Sequence, residues 1–285
     1  MSKDSKIRAA MSYKLFKDYG KIVSPENLQS LFKGYILDEE VLQIIKSEEF
    51  TNWFKIFEKT VEFHDEVRHN YGIYNTIKAY AENNGSYTYK EIDWYDDKTG
   101  KTTKRTVKDR YIPNNPDEYV IIVTDHISLL QPSKDEGTLH KAMSEFSSNY
   151  MLHARDKWNY IPVIIQQQAA ASEAQQFTNT GQSIIDKLKP SADMLGDNKL
   201  CSRDVDLMLG LFWPHRYNFS EYNGWNLNKI GNNHRELLIL MNRHGISKAS
   251  IDLYFDGSCN YFRELPQTPK ESVYNYVEEM NKIRI

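Results

Sequence analysis

Tyr119-Val120-Ile121-Ile122-Val123-Thr124-Asp125 is a continuous apolar, β-branched run that closes on a carboxylate. A run of this kind without alternation reads as a strand buried on both faces of a parallel sheet. In such sheets ligands bind in the crevice beyond the carboxyl ends of the strands. An acid at that place can hold the water shell of Mg²⁺ beside a nucleotide phosphate. The companion feature of such a site is a phosphate cradle, Gly-x-x-x-x-Gly-Lys-Ser/Thr, and these 285 residues contain none. Gly100-Lys101-Thr102 mimics its end, but the required earlier glycine is Tyr95, and the segment does not lie between a buried strand and a helix.

Working outward, the C-terminal side keeps an α/β rhythm. A polar loop from Gln131 to Gly137 precedes a helix over about 138–157, with Leu139, Met143, Phe146, Tyr150, Met151 and Ala154 on one face. Strands follow at 161–165 and about 205–212, with a small, polar loop between them. Strands at 236–241 and 249–255 flank Asn242-Arg243-His244-Gly245, and a helix closes the chain at 272–282. This order predicts a mostly parallel sheet with an antiparallel edge.

The N-terminal side reads as helices. One covers 4–18 and stops at Gly20; another starts at Ser24-Pro25, and a third stretch spans about 39–58. Residues 61–65 could form a short strand, and a helix over 74–82 ends at Asn83-Asn84-Gly85. The period then becomes two on either side of Asp97-Lys98-Thr99-Gly100, which predicts an exposed β-hairpin over 87–107.

Composition narrows the function class. The net charge of −3 leaves no global basic footprint, so a nucleic-acid surface must be local. Cys201 and Cys259 match no metal spacing and suit a reducing, cytoplasmic setting. The polar N-terminus is unlike a signal peptide, and no apolar stretch approaches the roughly 18 residues that suggest a membrane span. The 19 tyrosines point to packing between helices and partners.

Four segments in order resemble the RecA-like motor domain of the DnaB-type replicative helicases of bacteria and phages. Thr124-Asp125-His126-Ile127-Ser128-Leu129-Leu130 looks like the family's Walker B segment. Pro162-Val163-Ile164-Ile165-Gln166-Gln167-Gln168 is similar to its strand ending in Ser-Gln. Ser202-Arg203-Asp204-Val205-Asp206 stands where the family has Glu-Gln-Asp-Ala-Asp. Met241-Asn242-Arg243-His244-Gly245 resembles its Lys-x-Arg-x-Gly turn, with Met241 in place of the lysine. The resemblance is best over about 119–264.

It implies a RecA-like P-loop NTPase core, incomplete at its N-terminal end. The implied parts are a helical part at 1–60, a core at 61–265 with a hairpin insertion at 86–112, and a C-terminal helix at 266–285. The implied cofactors are ATP and Mg²⁺. Asp125 would be the Mg²⁺-orienting acid, Gln168 (with Gln167 as the neighbouring register) the γ-phosphate sensor, and Arg243 an arginine finger reaching into a neighbouring subunit. Lys134, Lys187, Lys189 and Lys199 fall in or near loops that hold single-stranded DNA in the family. Asp204 and Asp206 suit structural roles. Met1-Ser2-Lys3-Asp4 resembles the start of the helix after the family's catalytic glutamate, so the P-loop is expected on an upstream polypeptide, and the chain in a homo- or hetero-hexameric ring. On this reading the chain alone is inactive as an ATPase. Two alternatives stand beside it: a non-catalytic RecA-fold module that binds DNA or a helicase ring, and a phage packaging or recombination ATPase.

Overall fold

The structure, a computed structural model, describes residues 3–29, 38–168, 185–195 and 200–283. These fall into two compact units, so the chain crosses from one to the other more than once. Described residues up to Asp65, those at 185–190 and those from Leu207 onward form the first. Those from Glu66 to Gln168 and from Ser191 to Asp206 form the second.

The first unit opens with four helices, α1 (Lys3–Tyr19), α2 (Pro25–Gln29), α3 (Glu39–Lys46) and α4 (Glu48–Thr60). Gly20, at φ +66°, ends α1 in the left-handed conformation that glycine adopts without steric cost. The stretch expected as one helix over 39–58 is broken at Ser47, which is extended and accepts the Phe50 N–H on its Oγ at 3.2 Å. A serine that caps the next helix cannot also continue the previous one. Leu15, Val23, Leu28, Val41 and Phe50 form the core of this helical group. No strand forms at 61–65, which is irregular.

The second unit contains α5 (Asn70–Asn83), the hairpin β1 (Gly85–Asp96) and β2 (Lys101–Pro113), and β3 (Ile121–Thr124). Then come α6 (Leu139–Glu145), a π-helical stretch (Phe146–Met151), α7 (Leu152–Trp158) and β4 (Ile161–Ile164). The hairpin is longer than its sequence pattern indicated, because pairing runs from Asp96↔Lys101 out to Gly85↔Pro113. The helix expected at 138–157 forms with a π stretch inside it, and Phe146 and Met151 are buried there. Thr138 caps it by accepting the Lys141 N–H at 3.2 Å.

The remaining elements belong to the first unit: β5 (Leu207–Phe212), β6 (Glu221–Tyr222), β7 (Trp225–Asn226), α8 (Leu227–Ile230), β8 (His234–Asn242), β9 (Ala249–Asp256), β10 (Tyr261–Glu264) and α9 (Glu271–Ile283). The sheet expectation needs correction here. Among the described residues the parallel part is the pair β3–β4, while β5 runs antiparallel to β8 in a separate four-stranded sheet of order β10-β9-β8-β5. Trp225, Leu227, Ile230, Tyr254 and Leu188 build the core against it. Each such fully buried large side chain contributes about 1.5–3 kcal/mol relative to exposure.

The run that dominated the sequence departs from expectation too. It is not buried on both faces: Ile122 packs inward, whereas Ile121 and Val123 remain 59% and 60% exposed. Alternation in burial has a simple cause, since successive side chains of a strand point to opposite faces and only one face is covered.

Candidate functional site at the ends of the parallel strands

β3 and β4 pair in register from Ile121↔Ile161 to Thr124↔Ile164. Their hydrogen bonding continues past both strands. Ile165 donates its N–H to Thr124 O at 3.0 Å, and Ile127 donates to Ile165 O at 3.0 Å. The chain leaving β3 is thereby pinned to the chain leaving β4. Buried Ile127 and Leu130 anchor the turn that follows. Asp125 lies between the strand and this anchor with its side chain exposed, and the Asp125–His126 peptide is cis.

The three glutamines leave β4 at the same end. Gln166 and Gln168 are half-buried and Gln167 is exposed, so the alternation of the strand extends through them. Gln168 forms an isolated antiparallel bridge with Leu195. Asp125 and the glutamine triplet are therefore brought together by backbone pairing, within one unit.

Arg243 belongs to the other unit, at the exposed turn between β8 and β9. That turn is tightly held. Asn242 Oδ1 accepts the His244 N–H at 3.1 Å, and Ser247 Oγ accepts the Asn242 N–H at 2.8 Å. A Cβ on Gly245 would sit 2.7 Å from Asn242 Nδ2, so a larger residue there would have to push the Asn242 side chain aside.

The lysines separate. Lys134 is exposed in a turn whose base is set by buried Glu136, which accepts from Asn70 Nδ2 and from the Ser133 N–H, both at 2.5 Å. Lys187 is exposed at the end of the short turn Ile185–Lys187. Lys189 instead reaches buried Glu236 at 3.6 Å and lies over the Tyr222 ring. Lys199 falls outside the described residues.

Sequence reasoning missed the polar cluster around Glu236, which is 1% exposed. Tyr222 Oη donates to Glu236 Oε2 at 2.5 Å, and Asn223 Nδ2 donates to Glu236 Oε1 at 3.2 Å and to Asp252 Oδ1 at 3.0 Å. Fully buried His234 completes it through Nε2 to Asp252 Oδ1 at 3.1 Å. Burial, then the bond to Glu236, pushes the Tyr222 phenol well above its ordinary range. Arg235 is sandwiched by Trp213 and Phe255, and burial pulls its guanidinium down to about 10. The one sequence signal was three consecutive polar residues, His234-Arg235-Glu236, leading an apolar strand.

Asp204 and Asp206 hold structure together. Ser147 Oγ donates to Asp204 Oδ2 at 2.7 Å, and Arg155 Nη1 reaches Asp206 Oδ2 at 3.0 Å. Cys201 is buried beside them, and that burial raises its thiol pKa.

As to metal, no group of three or more His, Cys, Asp or Glu side chains is placed to hold an ion among the described residues. Mg²⁺ does not require such a group, since it binds through one or two carboxylates plus water and substrate phosphates. Next to Asp125, the His126 Nδ1 atom is buried with no hydrogen-bond partner in the protein. An orphan of this kind calls for a water, ion or ligand atom. One exposed carboxylate, Asp125, beside an orphaned ring nitrogen is the donor set that this strand end offers. No described helix is long and apolar enough to cross a membrane.

No protein-family model matches the sequence, and no curated protein matches it. Among solved structures, the chain is similar to one described as a DnaB-like replicative helicase and its interactions with primase, with a TM-score of 0.61 at 15% sequence identity. The match covers 93% of this chain and 49% of that one, so the chain spans about half the length of the helicase it resembles. At that identity the likeness concerns the fold: this chain has a helicase-like α/β fold.

Proposed function

We propose that the chain supplies the C-terminal part of the motor of an ATP-dependent, DnaB-like replicative DNA helicase, with the phosphate cradle coming from outside these 285 residues. The observation that carries this reading is the pinning of Asp125 and the glutamine triplet to one end of a parallel strand pair through Ile127 and Ile165. Such ends are where α/β proteins place their ligands. The fold likeness to a DnaB-like replicative helicase supports the same reading.

Asp125 would hold the water shell of a nucleotide-bound Mg²⁺, and His126 Nδ1 offers an adjacent hydrogen-bonding atom. When bound with nucleotide, Mg²⁺ neutralises charge on the phosphate oxygens. Gln168 presents a neutral amide that senses the γ-phosphate and transmits its loss to the segment that follows. Arg243, held out on a rigid turn, reaches a neighbouring subunit's nucleotide in a hexameric ring. A guanidinium suits this task because it stays charged and grips phosphate oxygens bidentately. Fingers of this type are worth roughly 10³–10⁵ in rate. Lys134 and Lys187 contact single-stranded DNA through its phosphates, which makes binding salt-sensitive and sequence-independent. Lys189 serves Glu236 instead.

The test is DNA-stimulated ATP hydrolysis. The chain alone is expected at background. Joining it to, or mixing it with, a cradle-bearing segment of a DnaB-like helicase should restore turnover, and Asp125→Ala or Arg243→Ala should abolish the gain. Turnover that survives both substitutions overturns the role assignments. A mixture that binds DNA but never hydrolyses ATP favours a non-catalytic ring or DNA-binding module.

A further inference from the structure

The hairpin β1–β2 takes no part in the strand-end site, and only its base is packed. Buried Tyr111 donates its Oη to Ala81 O at 3.0 Å, and Trp158 Nε1 donates to Tyr87 Oη at 2.7 Å. The Asn114 N–H closes the base by donating to Asn84 O at 2.8 Å. A Cβ on Gly85 would lie 2.4 Å from the Tyr111 side chain, so β1 starts pressed against that ring. Beyond this anchor no residue from Thr88 to Arg110 is buried, on either face. At about 3.4 Å per residue, the strand from Tyr89 to Asp96 reaches roughly 24 Å outward. A ribbon of this kind adds nothing to a core, so what it presents to solvent is its content.

The charges are sorted by strand. β2 carries Lys101, Lys104, Arg105, Lys108 and Arg110 against the single acid Asp109, whereas β1 carries Glu91, Asp93 and Asp96 against Lys90. Part of this is internal pairing: Lys90 meets Asp109 at 2.7 Å, Lys104 meets Glu91 at 3.6 Å and Lys108 meets Glu82 at 3.3 Å. Lys101 and Arg105 form no ion pair with a described residue. Successive side chains alternate between faces, and the register sets both with Thr103 on the face of Ile92, Trp94 and Asp96. There the Arg105 guanidinium lies 4.6 Å over the ring of Trp94, which holds it in place. Asp96 is turned into the tip, where it accepts from the Lys98 N–H and Thr99 Oγ, both at 2.9 Å. Glu91 and Asp93 fall on the opposite face, with Lys104.

Ordered, unneutralised cations on a protruding arm attract a polyanion. A guanidinium grips phosphate oxygens bidentately, and threonine hydroxyls add neutral donors to the backbone. Shape selects duplex DNA among the nucleic acids. The major groove of B-DNA, about 12 Å wide, admits a two-stranded β-ribbon, whereas that of duplex RNA is too narrow. Single strands need a series of rings on which successive bases stack. The basic face offers one ring, Trp94, with Arg105 already over it, while Tyr89 and Tyr95 share the face of Glu91 and Asp93.

We infer that β1–β2 is an arm for duplex DNA, laid in the major groove with Lys101 and Arg105 on the phosphates and Trp94 positioning Arg105. This goes beyond the motor reading and stands without it.

The experiment is fluorescence anisotropy of the chain with a labelled, mixed-sequence DNA duplex, its single strand and an RNA duplex. Lys101→Glu with Arg105→Glu should leave folding intact, because both side chains are exposed. Duplex DNA binding should weaken at least about 10-fold, and the slope of log affinity against log salt should fall by about 2. Single-strand binding should be retained. Trp94→Ala should weaken duplex binding by a smaller factor, and Trp94→Phe should restore most of it. Undiminished duplex affinity in the double variant overturns the inference, whatever the ATPase assay shows. An equal loss on single-stranded DNA or duplex RNA overturns it too, as does displacement by polyglutamate as efficient as by DNA, which would favour an acidic protein. Duplex binding lost in the double variant of a chain that never hydrolyses ATP supports the arm and sinks the motor. Should the double variant misfold, a photo-crosslinker on Thr103→Cys is the second readout, since Cys201 and Cys259 are buried. Capture of duplex DNA supports the arm, and its absence overturns it.

Discussion

β3–β4, rich in Ile and Val, and β8–β9, rich in Leu and Ile, are both aliphatic strand pairs, yet they bury their side chains by different means. The parallel pair is wholly apolar along its outer row and leaves that row in solvent. The antiparallel pair takes His234, Arg235 and Glu236 into full burial at the head of β8. Hydropathy alone would reverse this assignment. What decides is the presence of a covering layer in one case, and of Tyr222, Asn223, Lys189 and Asp252 as polar partners in the other. A buried carboxylate with three partners is tolerable, because its lone pairs are satisfied.

The comparison can be broken at its strongest point first. Phe146→Ala, beneath the inner face, should cost about 3–5 kcal/mol by removing a fully buried ring. Val123→Ala on the outer face should stay within about 0.5 kcal/mol. Denaturant unfolding of both variants checks this, and equal losses would mean the outer face is covered in the isolated chain. Next, Glu236→Ala strands the Tyr222 hydroxyl and the Lys189 ammonium, and should lower stability by roughly 2–3 kcal/mol. An unchanged urea midpoint would show that water replaces the carboxylate.

A local effect comes third. Ser47→Ala removes the cap between α3 and α4 and should cost about 1 kcal/mol, read as a lower melting temperature.

The smallest effect is the pH response of His153, packed at a tilt against Tyr74 and Trp158. Burial, then the nearby Lys157 and Lys78 charges, holds its pKa below the ordinary 6.5. Above 6.5 the ring is neutral in both folded and unfolded chains, and the native state keeps its full advantage. As pH falls from 6.5 through the folded pKa, the unfolded chain takes up the proton first, and stability declines. His153→Gln should flatten the melting-temperature profile between about pH 7 and 5. A profile unchanged by the substitution would assign the slope to other groups.

Legibility in the sequence followed the range of the interactions. The hairpin showed through its period of two and its turn residues, and α9 and the long helix through apolar spacing, since these signals are local. The break at Ser47 was harder, because a serine in an amphipathic run is compatible with continuation until its Oγ meets the Phe50 N–H. β6, β7 and β10, at two to four residues each, are too short to have a period. At the candidate site, Asp125 and the glutamines were visible as strand-end polar residues. The two backbone bonds that pin them together join residues far apart in sequence and leave no local trace.

By itself, then, the sequence determined where helices and strands form and which polar groups close the strands, because propensity, caps and turns act over a few residues. Only the tertiary structure decided that β5 joins the antiparallel strands β8, β9 and β10 rather than the parallel pair, that Lys189 answers Glu236, and that one face of β3–β4 stays bare. Those outcomes depend on which layer arrives to exclude water, and a strand carries the same apolar side chains whether or not that layer comes.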